Sequence, residues 1–435
     1  MKRDGVNGGR RQSTGDRPAP APAPAGGEGA GRPGAKLPAA VVGLGFVSLL
    51  TDTSSEAIFP LLPAFLTTLG ASNAFIGLVE GAAELVANVL KYLTGLFADR
   101  RARLKPLVLA GYGLSTAVRP LVAFAAAPWH VLLVRMIDRV GKGVRTSPRD
   151  ALIAVATPPS IRGRAYGFHR AMDHAGAALG TLLGAGLLWV LGAGAGEASG
   201  EQMRTVFLWA AVPGVLAVVA LALTREPPRT PPQPAGHAGR ALPPALRRAL
   251  LPIALFAFAN ATDAFILVKL ARLGASPILA PLLWLALHVI KAFTATAGGR
   301  LADRRGKRNT LALGWTVYAV TWSAVGFAES VPLLFVLAAV YGTSHGLVEG
   351  AERALVAELA AGEGKGRAFG VYNMLVGFAA LAASTAFGAV WDRFGSVAAF
   401  AGSGGFALVA AAVLLARVPG RGRVGGDPRP GGSFG

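Results

Sequence analysis

The stretch "GLFADRRARLK" at residues 95–105 decides the fold, because it returns in closely similar form as "GRLADRRGKRN" at residues 299–309. Three further segments recur at nearly the same distance along the chain. They are "LGAS" at 69–72 and 273–276, "PRDALIA" at 148–154 with "AERALVA" at 351–357, and "GRAYG" at 163–167 with "GRAFG" at 366–370. An internal repeat of this length predicts two halves built to one plan.

The chain that carries these repeats has the composition of an integral membrane protein. Of its 435 residues, 53% are hydrophobic and 15% are charged, whereas a typical soluble domain is roughly 25% charged. The formal net charge is +20, but Lys and Arg are spaced between apolar runs instead of forming one basic face, so we expect no nucleic-acid partner. The sequence contains no cysteine, which excludes disulfides, thiolate metal sites and cysteine nucleophiles.

Apolar stretches of about 20 residues recur along the chain, the length that crosses a hydrocarbon core of about 30 Å as a helix. We place twelve spans at 39–59, 74–97, 106–126, 130–155, 166–190, 205–223, 249–270, 277–298, 310–328, 332–356, 367–390 and 396–416. The predicted fold is therefore all-α and integral to a lipid bilayer, with twelve transmembrane helices.

Positive charge predicts the orientation of these spans. Most Lys and Arg lie in the two tails, in the central linker and in the loops after spans two, four, eight and ten, and the other loops hold only Arg204, Arg272 and Arg393. Both termini are therefore expected in the cytoplasm. The predicted domains are a disordered tail (1–38), a six-helix bundle (39–223), a Pro-rich basic linker (224–248), a second six-helix bundle (249–417) and a disordered tail (418–435).

The doubled loop motif resembles that of the major facilitator superfamily, G-x-L-A-D-R-x-G-R-K between helices two and three. Ala102 and Leu104 depart from this pattern in the first copy. The segments "TDTSSEAIFPLLP" (51–63), "DRVGKGVRTSPRDALIA" (138–154) and "GRAYGFHRAMD" (163–173) further resemble a prokaryotic permease subfamily. The resemblance implies two pseudo-symmetric bundles that rock about a central site, in the plasma membrane of a prokaryote.

The same resemblance implies a cytoplasmic gate built from the two copies of the loop motif. Its residues would be Asp99, Arg100, Arg103, Asp303 and Arg304, and they would separate and meet again as access alternates. A carboxylate at a helix end can accept backbone N–H groups or pair with a nearby Arg. The alternative is that bases in these loops only fix the topology at the lipid headgroups.

The fourth predicted span carries a stripe of charge. At about 100° per residue, its seven charged residues share one face, which should be turned to protein or to a water-filled cavity because charge in lipid is costly. We interpret Arg149 and Asp150, which follow Pro148, as gate residues. Lys142 and Arg145 fit either a substrate site or the gate. The full stripe is Arg135, Asp138, Arg139, Lys142, Arg145, Arg149 and Asp150.

Other predicted spans carry acidic faces at helical spacing. Two carboxylates in a dry interior repel each other, so one can hold a proton near neutral pH. The proton-coupling candidates are Asp52, Glu56, Glu80 and Glu84. The alternative is that these acids neutralise cations such as Arg135, Arg139 or Lys91 in static ion pairs. The substrate-cavity candidates are Lys91, Arg135, Arg139, Lys142, Arg145, Asp263, His345, Glu349 and Glu352.

These features predict a monomeric secondary active transporter that moves a small solute by alternating access, with the proton as coupling ion. Export of small organic compounds, including drugs, fits an apolar cavity, and uptake or exchange of an organic anion fits Lys142 and Arg145. A membrane sensor or scaffold without flux is the alternative of another class. No enzyme is expected, because the sequence shows no metal constellation, no nucleotide motif and no separate Ser/His arrangement, and no cofactor is expected.

Overall fold

The computed structural model describes residues 1, 36–98, 101–158, 161–193, 198–226, 228, 242–360 and 365–419, and in these ranges the regular structure is helical. Most of the predicted first tail, most of the linker after residue 226 and nearly all of the last tail lie outside the described residues. The predictions of disorder for those segments therefore stay predictions.

Proline sets several helix boundaries in the first half. Helix α1 ends just before a 3₁₀ turn that contains Pro60, and α4 ends before a similar turn that contains Pro120, because proline lacks the N–H that would continue the ladder. The helices are α1 (Ala39–Ile58), α2 (Leu62–Thr68), α3 (Asn73–Ala98), α4 (Lys105–Val118), α5 (Pro128–Ala156), α6 (Arg162–Val190), α7 (Gly200–Trp209) and α8 (Ala211–Leu223).

The second half repeats this arrangement with α9 (Pro244–Ala259), α10 (Ala264–Arg272), α11 (Leu279–Arg305), α12 (Lys307–Gly326), α13 (Val331–Leu359) and α14 (Lys365–Arg417). Gly306 joins α11 to α12 with φ 87°, and Gly395 bends α14 with φ 84°, a region that only glycine enters freely. The span predicted at 249–270 lies within the helical segment Pro244–Arg272, in which residues 260–263 interrupt the helix between α9 and α10.

Seven helical segments within the described residues are long and apolar enough to cross a membrane by length and composition. Helix α5 is not among them, since its charged stripe lowers its hydropathy. The seven segments are Asn73–Ala98, Lys105–Phe124, Gly200–Leu223, Pro244–Arg272, Leu279–Arg305, Val331–Leu359 and Arg367–Arg417. The chain is thus a multi-pass membrane protein, and the count of twelve spans stays a prediction.

The two halves pack in the same pattern. In the first half α5 lies against α3 and α4, and α1 lies against α6; in the second half α13 lies against α11 and α12, and α9 lies against α14. The halves meet where α3 packs on α14 and α6 packs on α11. Glycine permits the closest approach, because a Cβ placed on Gly77 would lie 2.0 Å from the carbonyl oxygen of Ser384.

Candidate functional site

A cavity of about 490 Å³ lies between the two halves. Helices α1, α3 and α5 line it on one side, and α9, α11, α13, α14 and the 260–263 break line it on the other. Eight residues predicted from the sequence reach it: Glu56, Glu80, Glu84, Arg139, Asp263, His345, Glu349 and Glu352. Five others are not part of its lining: Asp52, Lys91, Arg135, Lys142 and Arg145.

Part of the charged stripe on α5 is neutralised inside the first half. Arg135 Nη2 lies 2.6 Å from Glu80 Oε2, and Arg119 Nε lies 2.9 Å from Asp138 Oδ1. All four side chains are less than a tenth exposed. Arg119 also donates from Nη1 to the carbonyl oxygen of Thr51 at 3.1 Å. For Glu80, this arrangement matches the alternative interpretation, in which the acid neutralises Arg135 in a static ion pair.

Sequence reasoning missed Arg119. Its signal was present, because Arg119 is the one charged residue inside the predicted span 106–126 and it stands directly before Pro120. A lone cation in an apolar helix requires a buried acid, and Asp138 supplies it from α5.

Lys142 and Arg145 have different environments. Arg145 is 4% exposed and lies between α4 and α5, where Nη1 donates to Ser115 Oγ at 2.8 Å. Its guanidinium carbon is 4.4 Å from the centre of the Tyr112 ring. The side chain of Lys142, one turn earlier on the same helix, is exposed. The structure therefore separates two residues that the sequence placed together.

Among the described residues, no Lys, Arg or His nitrogen lies within 4.0 Å of the carboxylates of Glu84 and Asp52, the two other proton-coupling candidates on the first half that lack an ion pair. Glu84 Oε1 accepts from Asn88 Nδ2 at 2.8 Å. Asp52 is partly buried and lies in the electrostatic range of Asp173, whose carboxylate accepts from Ser48 Oγ at 2.5 Å. Lys91, on α3, is also partly buried.

The second half brings together a polar cluster from two helices, α11 and α13, and the helix break. Asp263, in the break, lies 2.6 Å from Lys291 Nζ and accepts from Tyr341 OH at 2.5 Å. His345 Nε2 lies 2.8 Å from Tyr341 OH and 3.6 Å from Asp263 Oδ1. Tyr341 was not predicted, because a tyrosine in an apolar span shows no sign of its partner.

Polar contacts between described residues join the two halves at several places. Trp284 Nε1 donates to Glu56 Oε2 at 2.7 Å, and Arg170 Nη2 lies 2.9 Å from Glu349 Oε1. At the end opposite the loop motif, Asp392 accepts from the backbone N–H and side-chain amide of Asn73 and from the N–H of residue 74. The carboxylate of α14 thus caps the N-terminus of α3.

The predicted gate is described only in part. Asp99 and Arg100 lie outside the described residues. Arg103 is exposed, as are Asp303 and Arg304, which both have partners. Helix α5 continues through Pro148 to Ala156, so Arg149 and Asp150 stay on it and pair with each other at 2.8 Å.

The two loop-motif copies hold their halves in the same way. Lys105 Nζ donates to the carbonyl oxygen of Ala222 at the end of α8, and Arg308 Nη1 donates to that of Val418 after α14. Cations at helix C-termini satisfy carbonyls that have no intrahelical partner. Each loop therefore fixes the last helix of its own half, a role that the topological interpretation of these bases did not include.

A sequence model of the Major Facilitator Superfamily matches residues 44–287 and 253–434. The chain belongs to this superfamily. An MFS-type transporter of Methanocaldococcus jannaschii is 31% identical over 360 residues, which cover 80% of this chain and 87% of the relative. The multidrug resistance protein MdtH of Yersinia pestis is 34% identical over 144 residues, which cover 33% of this chain and 36% of the relative.

Solved structures of other transporters have the same fold. A D-xylose–proton symporter shares 17% of its residues with this chain at a TM-score of 0.71, and the match covers 87% of this chain and 97% of the symporter. A bacterial homologue of the human lysosomal transporter Spinster is 18% identical to this chain at a TM-score of 0.69. The match covers 88% of this chain and 97% of the homologue. Membership of the superfamily and the likeness to the Methanocaldococcus transporter make the protein a membrane transporter of a family that is not enzymatic.

Proposed function

We propose that this transporter exports small organic compounds by alternating access, with proton entry as the driving reaction. The observation that carries the proposal is the cavity between the halves, which combines aromatic and acidic lining. Its volume of about 490 Å³ falls in the range of roughly 300–1,000 Å³ that holds drug-sized ligands. Phe59 and Trp284 face each other there from opposite halves, with ring centres 4.7 Å apart.

The proposed topology has twelve spans, with both termini in the cytoplasm of a prokaryote and the protein monomeric in the inner membrane. Joining α1 with α2, α7 with α8 and α9 with α10, and dividing α14 at Gly395, turns the described helices into twelve segments. The excess of Lys and Arg in alternate loops supports the orientation.

Export is supported by one relative and by the chemistry of the lining. The similar stretch of MdtH belongs to a multidrug resistance protein, although it covers only a third of this chain. Acids are prominent among the polar side chains that line the cavity, and aromatic faces beside them suit organic cations.

Uptake or exchange of an organic anion is the second candidate, because Arg139 lines the cavity and Lys142 is exposed. Arg145 contributes less to that candidate than the sequence indicated, since Ser115 and Tyr112 already hold its guanidinium. A sensor without flux would bind a compound and move nothing.

The test uses the full chain in liposomes that enclose a pH-sensitive dye. Ethidium, benzoate and glucose are added in turn as probes of the cationic, anionic and neutral classes, under an imposed proton gradient. We expect ethidium to dissipate the gradient, and empty liposomes to show no response. A response to benzoate that Lys142→Ala abolishes would replace export by anion transport, and stabilisation by a probe without any flux would favour a sensor.

A further inference from the structure

Glu352 differs from the other acids that line the cavity. It is 7% exposed, and its carboxylate accepts a hydrogen bond from Tyr372 OH at 2.8 Å. Within the described part of the chain, no Lys, Arg or His nitrogen lies within 4.0 Å of that carboxylate. An ionised carboxylate in such a place loses its hydration without gaining a counter-ion, which strongly favours the neutral acid.

Three of the other acids around the cavity are stabilised as anions by a cation at close range. Arg135 neutralises Glu80, Lys291 neutralises Asp263, and Arg170 binds Glu349 from the opposite half. Glu56 and Glu84 receive N–H donors, from Trp284 and Asn88. Glu352 is thus both buried and without a close cation, whereas Glu56 and Glu84 are more exposed.

The charged groups nearest to Glu352 confirm its isolation. Arg353 follows it on α13, but its guanidinium is directed to Glu349, with Nη2 3.6 Å from Oε1, and the side chain is 63% exposed. From α14, the group that faces Glu352 is the phenol of Tyr372. At the corresponding place of the first half, the repeat puts Arg149, paired with Asp150, so the arrangement is particular to the second half.

We infer that Glu352 carries the coupling proton and that Tyr372 positions its carboxyl group. The inference rests on the proposed proton-driven export. Glu352 takes one proton from water when the cavity opens to one side and returns it to water on the other side. Tyr372 keeps its own proton throughout and donates to the carboxyl oxygen in either state.

Tyr372 also connects this proton to the movement of the halves. It lies on α14, which packs on α3 of the first half, and a Cβ placed on Gly370 would lie 2.2 Å from the ring of Tyr92. A movement of α3 that carries this turn of α14 with it would change the position of the Tyr372 hydroxyl relative to Glu352 on α13. Protonation and access are linked because each state of the carboxyl group favours one position of the donor.

The experiment is infrared difference spectroscopy on the purified full chain in liposomes, titrated across neutral pH in H₂O and D₂O. A protonated carboxyl group gives a C=O band that shifts in D₂O. We expect one such band to lose its intensity in Glu352→Gln, to change frequency in Tyr372→Phe, and to persist in Glu358→Gln. The last variant is the matched control, since Glu358 is on the same helix but pairs with Lys307 outside the cavity.

A band that is unchanged in Glu352→Gln overturns the inference. So does proton-driven ethidium flux that remains at wild-type rate in that variant, and this result leaves the proposed export intact. The spectroscopy needs no substrate, so the two ideas fail separately: a band that depends on Glu352 in a protein without any proton-driven flux overturns the proposed export. Tyr372→Phe retains the shape of the side chain and keeps the test available if Glu352→Gln folds poorly.

Discussion

Arg135 and Glu80 form a buried ion pair, 2.6 Å from Nη2 to Oε2, that joins α5 to α3 beside the cavity. Both side chains are about 8% exposed, so the pair is shielded from water where α5 meets α3. Its neighbour Asp138 lies 3.9 Å from Arg135 and is held in turn by Arg119. The charges on α5 therefore serve partly to assemble the first half.

Removing one partner of this ion pair should destabilise the protein strongly. Arg135→Met leaves Glu80 buried without a counter-ion, and the expected cost is about 3–5 kcal/mol of unfolding free energy. Replacing both residues, by Met and Leu, should recover most of the loss. Thermal unfolding of the detergent-purified single and double variants measures the difference. Equal losses in the single and double variants would contradict a direct pair.

Arg145 and Lys142 should respond differently to truncation. Arg145→Ala removes the contact with the Tyr112 ring and the hydrogen bond to Ser115, so we expect a loss of roughly 1–3 kcal/mol. Lys142→Ala removes an exposed side chain, and its free energy of unfolding should stay within about 0.5 kcal/mol of wild type. The unfolding midpoints of the two variants give the comparison, and similar midpoints would show that the two bases share one environment.

The close packing of α3 on α14 should make Gly77 intolerant of any side chain. A Cβ at Gly77 meets the backbone of Ser384, whereas a Cβ at Gly186 on α6 meets nothing within 4 Å. We expect Gly77→Ala to lower the unfolding temperature and Gly186→Ala to keep or raise it, because alanine has the higher helix propensity by about 1 kcal/mol. Comparable effects in both variants would mean that the helices do not approach so closely.

The cap that Asp392 places on α3 should also be measurable. Asp392→Ala leaves the first N–H groups of α3 without an acceptor, and the expected loss is about 0.5–2 kcal/mol. Glu329→Ala is the control, since Glu329 is exposed at the start of a different helix. Unfolding in detergent measures both variants, and an unchanged midpoint for Asp392→Ala would show that water replaces the carboxylate at no cost.

The fold was largely predictable from the sequence, because hydrophobic span length and the doubled loop motif depend on local residues. The partner of each polar side chain was not predictable from the sequence. The break at residues 260–263 needed the packing of Ser384, whose Oγ accepts from Thr262 N, and the role of Tyr372 needed the approach of α14 to α13. Spacing places Glu80, Glu84 and Glu352 on particular helix faces, but only the packing shows that a cation meets Glu80 and a phenol meets Glu352.

The contact between Arg170 and Glu349 predicts how the halves separate. Both side chains are about half exposed, so the pair should contribute only about 0–1 kcal/mol to stability. It should instead bias access to the cavity, because it joins α6 of one half to α13 of the other. The sequence has no cysteine, so a single cysteine at Val376 in the cavity lining reports access through its rate of maleimide labelling.

Arg170→Glu should change that labelling rate several-fold through repulsion from Glu349, and the added change Glu349→Arg should restore it. Arg393→Glu is the control, because Arg393 lies beside the bend of α14 at Gly395, where its guanidinium contacts Phe394 within the same half. If the charge swap fails to restore labelling while both variants unfold at the wild-type temperature, the pair does not hold the two halves together and access is set by the packing of α3 on α14.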